Sequence, residues 1–277
     1  MKSKKILVSV IFGITLLMQP GILLSQTNAT KSDYEPELGQ EGKDVIWYPT
    51  PQVLVDKMLD MAKLTPADYL IDLGSGDGRI VITAAKRGVN AAGIEYNPDM
   101  VEFAKKNAAK EGVADKTDFI KADLYEYDLS KATVITMFLL PEINLKMRPK
   151  LLELKPGTRI ITNTFSMQDW TYDEMQEIDD ESITWNTAYL WIVPAKVEGT
   201  WKCNEGELKL AQNYQMVSGN LNSGGKSMEI TSGKLRGDEF RFVCNGANYK
   251  CRVNKNSIKG SMEKNGKVSS WEAIKKM

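Results

Sequence analysis

The sequence predicts an α/β protein with a doubly wound, mostly parallel sheet, followed by a small antiparallel β domain. Between residues 44 and 196, short apolar segments alternate with helical segments, as expected for a parallel sheet. After residue 197 the chain is rich in Gly, Asn and Ser, with short alternating runs between turn signals. We therefore expect folded domains at 44–196 and 197–277, a linker at 26–43 and an N-terminal segment at 1–25.

The first domain is predicted to contain alternating helices and strands. Pro98 opens one helix, because proline is tolerated in a first turn, and the Lys155-Pro156-Gly157 sequence ends another. The predicted helices are 53–62, 79–87, 98–111 and 142–154. The predicted strands are 69–73, 91–95, 117–122, 133–139, 159–163 and 187–193.

The second domain has the signals of consecutive β-hairpins. Phe240-Arg-Phe242 and Tyr249-Lys-Cys-Arg-Val253 alternate apolar and polar residues, and Leu208-Lys-Leu210 and Met228-Glu-Ile230 do so over a shorter length. Asn245-Gly246 and Asn265-Gly266 are typical of two-residue hairpin turns. These patterns predict an antiparallel sheet or a small barrel, and no catalytic pattern lies within it.

Composition excludes several classes of function. The chain has 277 residues, with 36 Lys and Arg against 36 Asp and Glu, so no basic excess indicates a nucleic-acid partner. Histidine is absent, which removes histidine bases and histidine metal ligands, and we predict no metal site. Three cysteines lie at 203, 244 and 251. In an oxidising compartment we expect Cys203 to pair with one of the other two, and in a reducing one all three are core residues.

The N-terminus resembles a secretory signal. Met-Lys-Ser-Lys-Lys is followed by an apolar run over residues 6–18 and a Pro20-Gly21 break. We expect residues 1–25 to be a signal peptide, cleaved near Ser25 or Ala29, or an uncleaved membrane anchor that gives membrane association. Both alternatives place the domains outside the cytoplasm, in the periplasm or on the inner membrane. Cytoplasmic localisation is the alternative.

The run Asp72-Leu-Gly-Ser-Gly-Asp-Gly-Arg79 carries most of the functional information. It joins a predicted strand to a helix N-terminus, where free backbone N–H groups and close backbone approach suit a nucleotide-type ligand. Dinucleotide-binding folds use G-x-G-x-x-G, whereas these glycines lie at 74, 76 and 78. The spacing therefore disfavours an NAD-dependent oxidoreductase.

The D-x-G-x-G-x-G pattern resembles the first motif of class I, Rossmann-like S-adenosylmethionine-dependent methyltransferases. Two further acids support the resemblance. Glu95 ends the second predicted strand, where a carboxylate can hold a ribose diol. Asp123 follows the third strand, where an acceptor can bind the adenine amine. Three acids after three successive strands predict S-adenosyl-L-methionine as the cofactor.

A narrower resemblance covers about residues 45–170. Tyr48-Pro-Thr-Pro51 before the first helix, the glycine run, and the Leu139-Leu-Pro-Glu142 end of a strand resemble seven-strand protein-lysine methyltransferases. These include the mitochondrial enzymes that modify an ATP synthase subunit and the adenine nucleotide carrier, their bacterial relatives and, more distantly, the non-SET histone-lysine methyltransferases. Trp191-Ile-Val-Pro194 matches a strand of the bacterial relatives.

The resemblance implies a role for each matching residue. Tyr48 and Thr50 would close over the cofactor, and Leu140, Pro141 and Glu142 would lie on the substrate side, with Tyr48 and Glu142 as catalytic candidates. Leu139-Leu-Pro141 is equally consistent with a simple helix start. The implied cofactor-binding residues are Tyr48, Thr50, Asp72, Gly74, Ser75, Gly76, Asp77, Gly78, Glu95, Tyr96, Asp123 and Leu124.

The predicted function is methyl transfer to an amine. Phe138-Leu-Leu-Pro141 lacks the Asn/Asp-Pro-Pro-Tyr pattern that holds a planar amine, which argues against methylation of a base or an amide. The acceptor is expected to be a protein lysine or a small-molecule amine. The alternative is an exported binding module that keeps the methyltransferase fold without turnover.

Overall fold

The computed structural model describes residues 34–180 and 182–276. The predicted signal or anchor at 1–25, its cleavage sites near Ser25 and Ala29, and residues 26–33 of the linker lie outside the described residues. Within the described part, none of the helices is both long and apolar enough to span a bilayer.

Seven strands form a mixed sheet whose order is β3-β2-β1-β4-β5-β7-β6. The first five strands are parallel, while β7 runs antiparallel to β5 and to β6. The predicted mostly parallel sheet is therefore confirmed. The strands are β1 (Tyr69–Leu73), β2 (Asn90–Glu95), β3 (Thr117–Lys121), β4 (Val134–Met137), β5 (Arg159–Asn163), β6 (Glu174–Glu177) and β7 (Thr187–Ile192).

Helices cover both faces of the sheet. Alternate strand residues point to opposite sides, so Leu70 of β1 packs with helices α1 to α3 while Ile71 packs with α4. Asn97 caps α3 by accepting hydrogen bonds from the N–H groups of residues 99 and 100. The helices are α1 (Gln52–Met61), α2 (Arg79–Lys86), α3 (Pro98–Lys110) and α4 (Pro141–Leu152), with a 3-10 turn at Ala114–Lys116.

Strand β6 is the element that the sequence did not predict. Its four residues, Glu-Met-Gln-Glu, lack a run of apolar side chains because β6 is an exposed edge strand. The other differences in this domain's predicted helices and strands are shifts of one or two residues at their ends. For example, the predicted strand at 133–139 forms ladder bonds only over Val134–Met137.

The remaining strands close into an eight-stranded antiparallel barrel, which confirms the small β domain. Asn245-Gly246 and Asn265-Gly266 all have positive φ, as two-residue hairpin turns require. Large side chains such as Trp201 and Phe240 fill the interior. The strands are β8 (Gly199–Cys203), β9 (Gly206–Asn213), β10 (Met216–Ser223), β11 (Lys226–Arg236), β12 (Glu239–Cys244), β13 (Ala247–Asn254), β14 (Ser257–Lys264) and β15 (Lys267–Lys275).

The three cysteines are free and buried in the barrel, so the expected pairing of Cys203 with Cys244 or Cys251 does not occur in this structure. The barrel alternation points all three side chains inward, where they serve as small apolar residues. Burial raises the pKa of the Cys251 thiol to about 12, so this thiol stays protonated at neutral pH.

The barrel packs directly against the α/β part. The ring of Tyr214 stacks on Trp170 with 5.7 Å between centroids, and its hydroxyl donates to Asp169 at 2.9 Å. The backbone N–H of Ala195 donates to the carbonyl of Gly237 at 2.8 Å. These contacts fix the barrel on the sheet.

Candidate active site

A cavity of about 240 Å³ lies at the carboxyl edge of the parallel strands. This edge is where open α/β sheets bind their ligands. The cavity brings together most of the residues predicted from the sequence: Tyr48, Thr50, Asp72, Gly74, Ser75, Gly76, Asp77, Glu95, Tyr96, Asp123, Leu124 and Leu140.

The glycine loop needs glycine for both conformation and space. Gly74 and Gly76 have φ of 75° and 53°, in the left-handed region. A Cβ on Gly76 would lie 2.6 Å from Nε1 of Trp47, which covers the loop. Ser75 fills the space in front of Gly93, and its buried Oγ has no hydrogen-bond partner among the described residues. The loop therefore exposes backbone to the cavity on one side and is packed on the other.

Asp72 is a buried carboxylate beside the cavity. Its side chain is 3 % exposed and accepts a hydrogen bond of 2.7 Å from Oγ1 of Thr136. Burial raises the pKa of Asp72 to about 7, with a smaller contribution from the charges of Asp77 and Glu95. In the part of the chain that the structure describes, no cationic group hydrogen-bonds to this carboxylate. A cationic ligand group would supply that missing partner.

Glu95 is held by backbone donors at the end of β2. Its Oε2 accepts from the N–H of Gly76 at 3.0 Å and its Oε1 from the N–H of Asn97 at 2.9 Å. These bonds fix the carboxylate beside the glycine loop with lone pairs left for a diol. The neighbouring Tyr96 ring is half exposed and lines the same cavity.

Asp123 already has a cationic partner. Its Oδ2 lies 2.7 Å from Nζ of Lys43, and its Oδ1 accepts from the N–H of Tyr125 at 2.9 Å. The hydrogen bond from Lys43 holds the pKa of the Asp123 carboxyl below its usual range. The ammonium of Lys43 also lies 5.1 Å from the centroid of the Tyr96 ring. Lys43 is therefore paired with the carboxylate that was predicted to accept a hydrogen bond from the adenine amine.

The segment around Thr50 is tied to the glycine loop through Arg79. Arg79 contacts Asp77 at 2.5 Å and donates to the carbonyl of Thr50 at 2.9 Å. Thr50 itself is buried and accepts a hydrogen bond from Asn163 at 3.3 Å. The described end of the predicted linker, residues 40–43, also lines the cavity.

Three predicted residues do not line the cavity. Gly78 has a φ of 81° and is the N-cap of α2, where a Cβ would meet the Phe119 ring at 2.7 Å. Pro141 and Glu142 open α4, and the side chain of Glu142 is exposed on the outer side of the helix while Ile143 is buried. Helical periodicity thus turns Glu142 away from the crevice.

The cavity is also lined by residues that were not among the predicted site residues, including Lys43, Trp47, Phe138, Phe165 and Trp185. Lys43 ends the predicted linker, and Trp47 follows it in the short apolar run Val45–Tyr48. Phe165 and Trp185 follow β5 and precede β7, in loops without a motif. For Phe165 and Trp185 the available signal is an aromatic residue among polar residues beside a predicted strand.

The residues present fit S-adenosylmethionine. A buried carboxylate without a counter-ion suits the positive charges of the methionine part, and the open backbone of the glycine loop allows close approach. The backbone-fixed carboxylate of Glu95 suits a ribose diol. The described residues contain no cluster of three or more acidic or cysteine side chains that could bind a metal ion.

Comparison with known proteins agrees with this geometry. The family model described as the ANTKMT methyltransferase domain matches residues 72–174. A protein-lysine N-methyltransferase of Saccharolobus islandicus (strain REY15A) is 41% identical over 152 residues, which are 54% of this chain and 94% of that protein.

The names of two other relatives give different methyl acceptors. The mouse adenine nucleotide translocase lysine N-methyltransferase is 32% identical over 118 residues, 42% of this chain and 51% of its own length. This chain therefore spans about half of that enzyme. A crystal structure of an RNA methyltransferase from Salinibacter ruber, in complex with S-adenosyl-L-homocysteine, has 45% identity and a TM-score of 0.51, covering 54% of this chain and 96% of that one.

Fold, cavity and relatives define a class I enzyme that transfers methyl groups from S-adenosylmethionine. Within this class, the chain belongs to the methyltransferase family that includes the protein-lysine and adenine nucleotide translocase lysine N-methyltransferases. The similarity covers the α/β part.

Proposed function

We propose that this methyltransferase transfers the methyl group to the ε-amino group of lysine in a protein acceptor. The observation that carries the proposal is the chemistry of the crevice after β4. Phe138, Leu139 and Leu140 line the cavity directly after β4, and none of these three side chains can hydrogen-bond to the planar amine of a base or an amide. The names of the lysine-modifying relatives support the same acceptor.

Charge also favours a protein acceptor over RNA. Residues 34–196, which include the whole cavity lining, carry 27 acidic and 18 basic residues. An acidic surface repels the phosphate backbone and attracts a lysine-bearing segment. The basic excess lies in residues 197–277, with 14 basic and 8 acidic residues, and none of them lines the cavity.

The mechanism relies on positioning and desolvation. When bound, S-adenosylmethionine supplies a methyl group on a sulfonium cation. Asp72, the glycine loop and Glu95 would hold its methionine and ribose parts, while the apolar residues after β4 exclude water from the acceptor side. An apolar site lowers the pKa of a lysine amine, which provides the neutral form that can attack.

Glu142 is one of the two catalytic candidates from the sequence, and its exposed position favours release of the amine proton to solvent instead of to Glu142. We expect Glu142→Gln to keep normal turnover and normal cofactor affinity. A large fall in turnover with unchanged affinity would restore Glu142 to the mechanism.

The test is to incubate the full chain with tritiated S-adenosylmethionine and an extract of the native host, then digest separate samples with protease or ribonuclease. The proposal predicts label that protease releases and ribonuclease does not. Glu95→Ala, which removes the ribose carboxylate, is the matched inactive control. Label confined to ribonuclease-sensitive material would identify RNA as the acceptor and overturn the proposal.

We also propose that the enzyme is exported, on the basis of the basic and apolar N-terminal residues. The alternative of an exported module without turnover makes the same localisation prediction but forms no methylated product. Cell fractionation with mass spectrometry of the mature N-terminus tests the export. An intact Met1 on a cytoplasmic protein would contradict it.

A further inference from the structure

Four aromatic rings from four separate segments meet at one end of the cavity. We call Tyr48, Phe138, Phe165 and Trp185 the aromatic cluster. Trp185 is the common neighbour, with ring centroids 6.3 Å from Tyr48, 6.0 Å from Phe138 and 5.6 Å from Phe165. All four rings line the cavity.

The aromatic cluster is not part of the hydrophobic core. Each of its rings is half-buried or exposed, and none belongs to the clusters of buried residues on the two faces of the sheet. Apolar rings that line a cavity instead of packing in the core mark a binding surface.

Phe165 is held in place by a specialised turn. Thr164 before it has a φ of 59°, a rare conformation for a β-branched residue, and such strain is concentrated at functional sites. The carbonyl of Phe165 accepts hydrogen bonds from the buried side chains of Thr162 at 2.6 Å and Asn144 at 3.1 Å. Buried polar groups thus fix the backbone that presents this ring.

We propose that the aromatic cluster binds the methylated ammonium products of the acceptor amine through cation–π contacts. The rings offer electron-rich faces in a partly buried site, and aromatic surroundings of this kind recognise quaternary ammonium groups well. The cluster lies where strands β4 and β5 end, beside the apolar crevice of the acceptor side. This inference rests on the proposed amine acceptor.

The consequence is repeated methylation of one amine. The lone pair of the neutral amine forms the new N–C bond as the S–C bond breaks, and the electron pair of that bond stays on sulfur. The methylated ammonium then gives one proton to solvent before it can accept a second methyl group. Because cation–π contacts do not require N–H donors, the cluster retains the mono- and dimethylated forms.

The test uses tetramethylammonium as the probe and tert-butyl alcohol as a neutral group of similar size. Saturation-transfer NMR on the full chain with S-adenosylhomocysteine measures binding of each. We expect saturable binding of the cation and none of the alcohol. Trp185→Leu and Phe165→Leu should weaken cation binding about tenfold, and Trp185→Phe should retain most of it.

Controls separate this result from misfolding. Tyr172→Leu removes an exposed ring outside the cavity and should leave cation binding unchanged. Each variant must keep its melting temperature and its affinity for S-adenosylhomocysteine. Equal binding of cation and alcohol, or unchanged binding in both leucine variants, would overturn the proposal. Displacement of the cation by a nucleoside at lower concentration would show a base-stacking surface and also overturn it.

The two proposals fail in different ways. If the cluster binds the cation but labelled lysine is never formed, the proposed acceptor is wrong. If lysine is methylated without cation binding, the role of the cluster is wrong. With a lysine acceptor, Trp185→Leu should shift the product towards monomethyllysine at matched turnover.

Discussion

Replacing Asp72 by asparagine tests whether the cofactor site contains a buried carboxylate without a counter-ion, because such a group changes the free energy of unfolding with pH. Burial raises the pKa of Asp72 from 3.8 to about 7. Since one pKa unit corresponds to about 1.4 kcal/mol, ionising the folded protein costs about 4 kcal/mol more than ionising the unfolded chain. Unfolding therefore releases a proton between about pH 4 and 7, and stability falls as the pH rises through that window.

An asparagine at this position would carry no charge, and Thr136 could still donate to its side-chain oxygen. At pH 8 we expect Asp72→Asn to be more stable than the natural protein without cofactor, by up to about 4 kcal/mol. The gain should disappear towards pH 4. Calorimetric melting across this range measures it. A stability difference between the two proteins that does not change with pH would contradict the assignment of Asp72 as a buried carboxylate without a counter-ion.

The same substitution should have the opposite effect on cofactor binding. Loss of a charge-assisted contact predicts about 10- to 100-fold weaker binding of S-adenosylhomocysteine. In the natural protein, a bound cation favours the ionised carboxylate, so affinity should fall about tenfold per pH unit below pH 7, with proton release on binding. Isothermal titration in buffers of different ionisation enthalpy measures both. Unchanged affinity in Asp72→Asn would remove Asp72 from the site.

Three further substitutions have distinct outcomes. Gly76→Ala should abolish detectable binding of S-adenosylhomocysteine in calorimetry, because the added Cβ meets Trp47 and the φ of 53° becomes strained; normal affinity would contradict the loop assignment. Lys43→Met should strengthen the binding of S-adenosylhomocysteine by at most several-fold, because it frees Asp123 from a partly exposed ion pair. Weaker binding would instead show that Lys43 contributes to the adenine site. Gly246→Ala should lower the free energy of unfolding by about 1 kcal/mol in denaturant titration, because it strains a hairpin turn with a φ of 69°. The turn is distant from the cavity, so the affinity for S-adenosylhomocysteine should not change. A loss of affinity would show that the barrel and the cavity are coupled.

The order of elements and the cofactor side of the cavity could be predicted because they depend on local patterns. Asp72, Glu95 and Asp123 each lie at or just after the end of a strand, and parallel strands bring their carboxyl ends to one edge. The turns at Asn245-Gly246 and Asn265-Gly266 were predictable for the same reason, since two residues determine each one.

The aromatic cluster and the position of Lys43 could not be predicted because they depend on contacts between distant segments. Tyr48 and Trp185 are 137 positions apart in the sequence and meet only after the sheet has formed. Lys43 reaches Asp123 across 80 positions. Glu142 was misplaced for a simpler reason: its motif gave the helix start, while the rotation of that helix depends on which of its residues are buried.

The most direct test of the central claim is amino-acid analysis of protein labelled by the full chain with tritiated S-adenosylmethionine. The account predicts that the label elutes as ε-N-methylated lysine and that the Glu95→Ala control yields none. Label recovered as methylated arginine, glutamine or a carboxyl ester, with no methylated lysine, would contradict it.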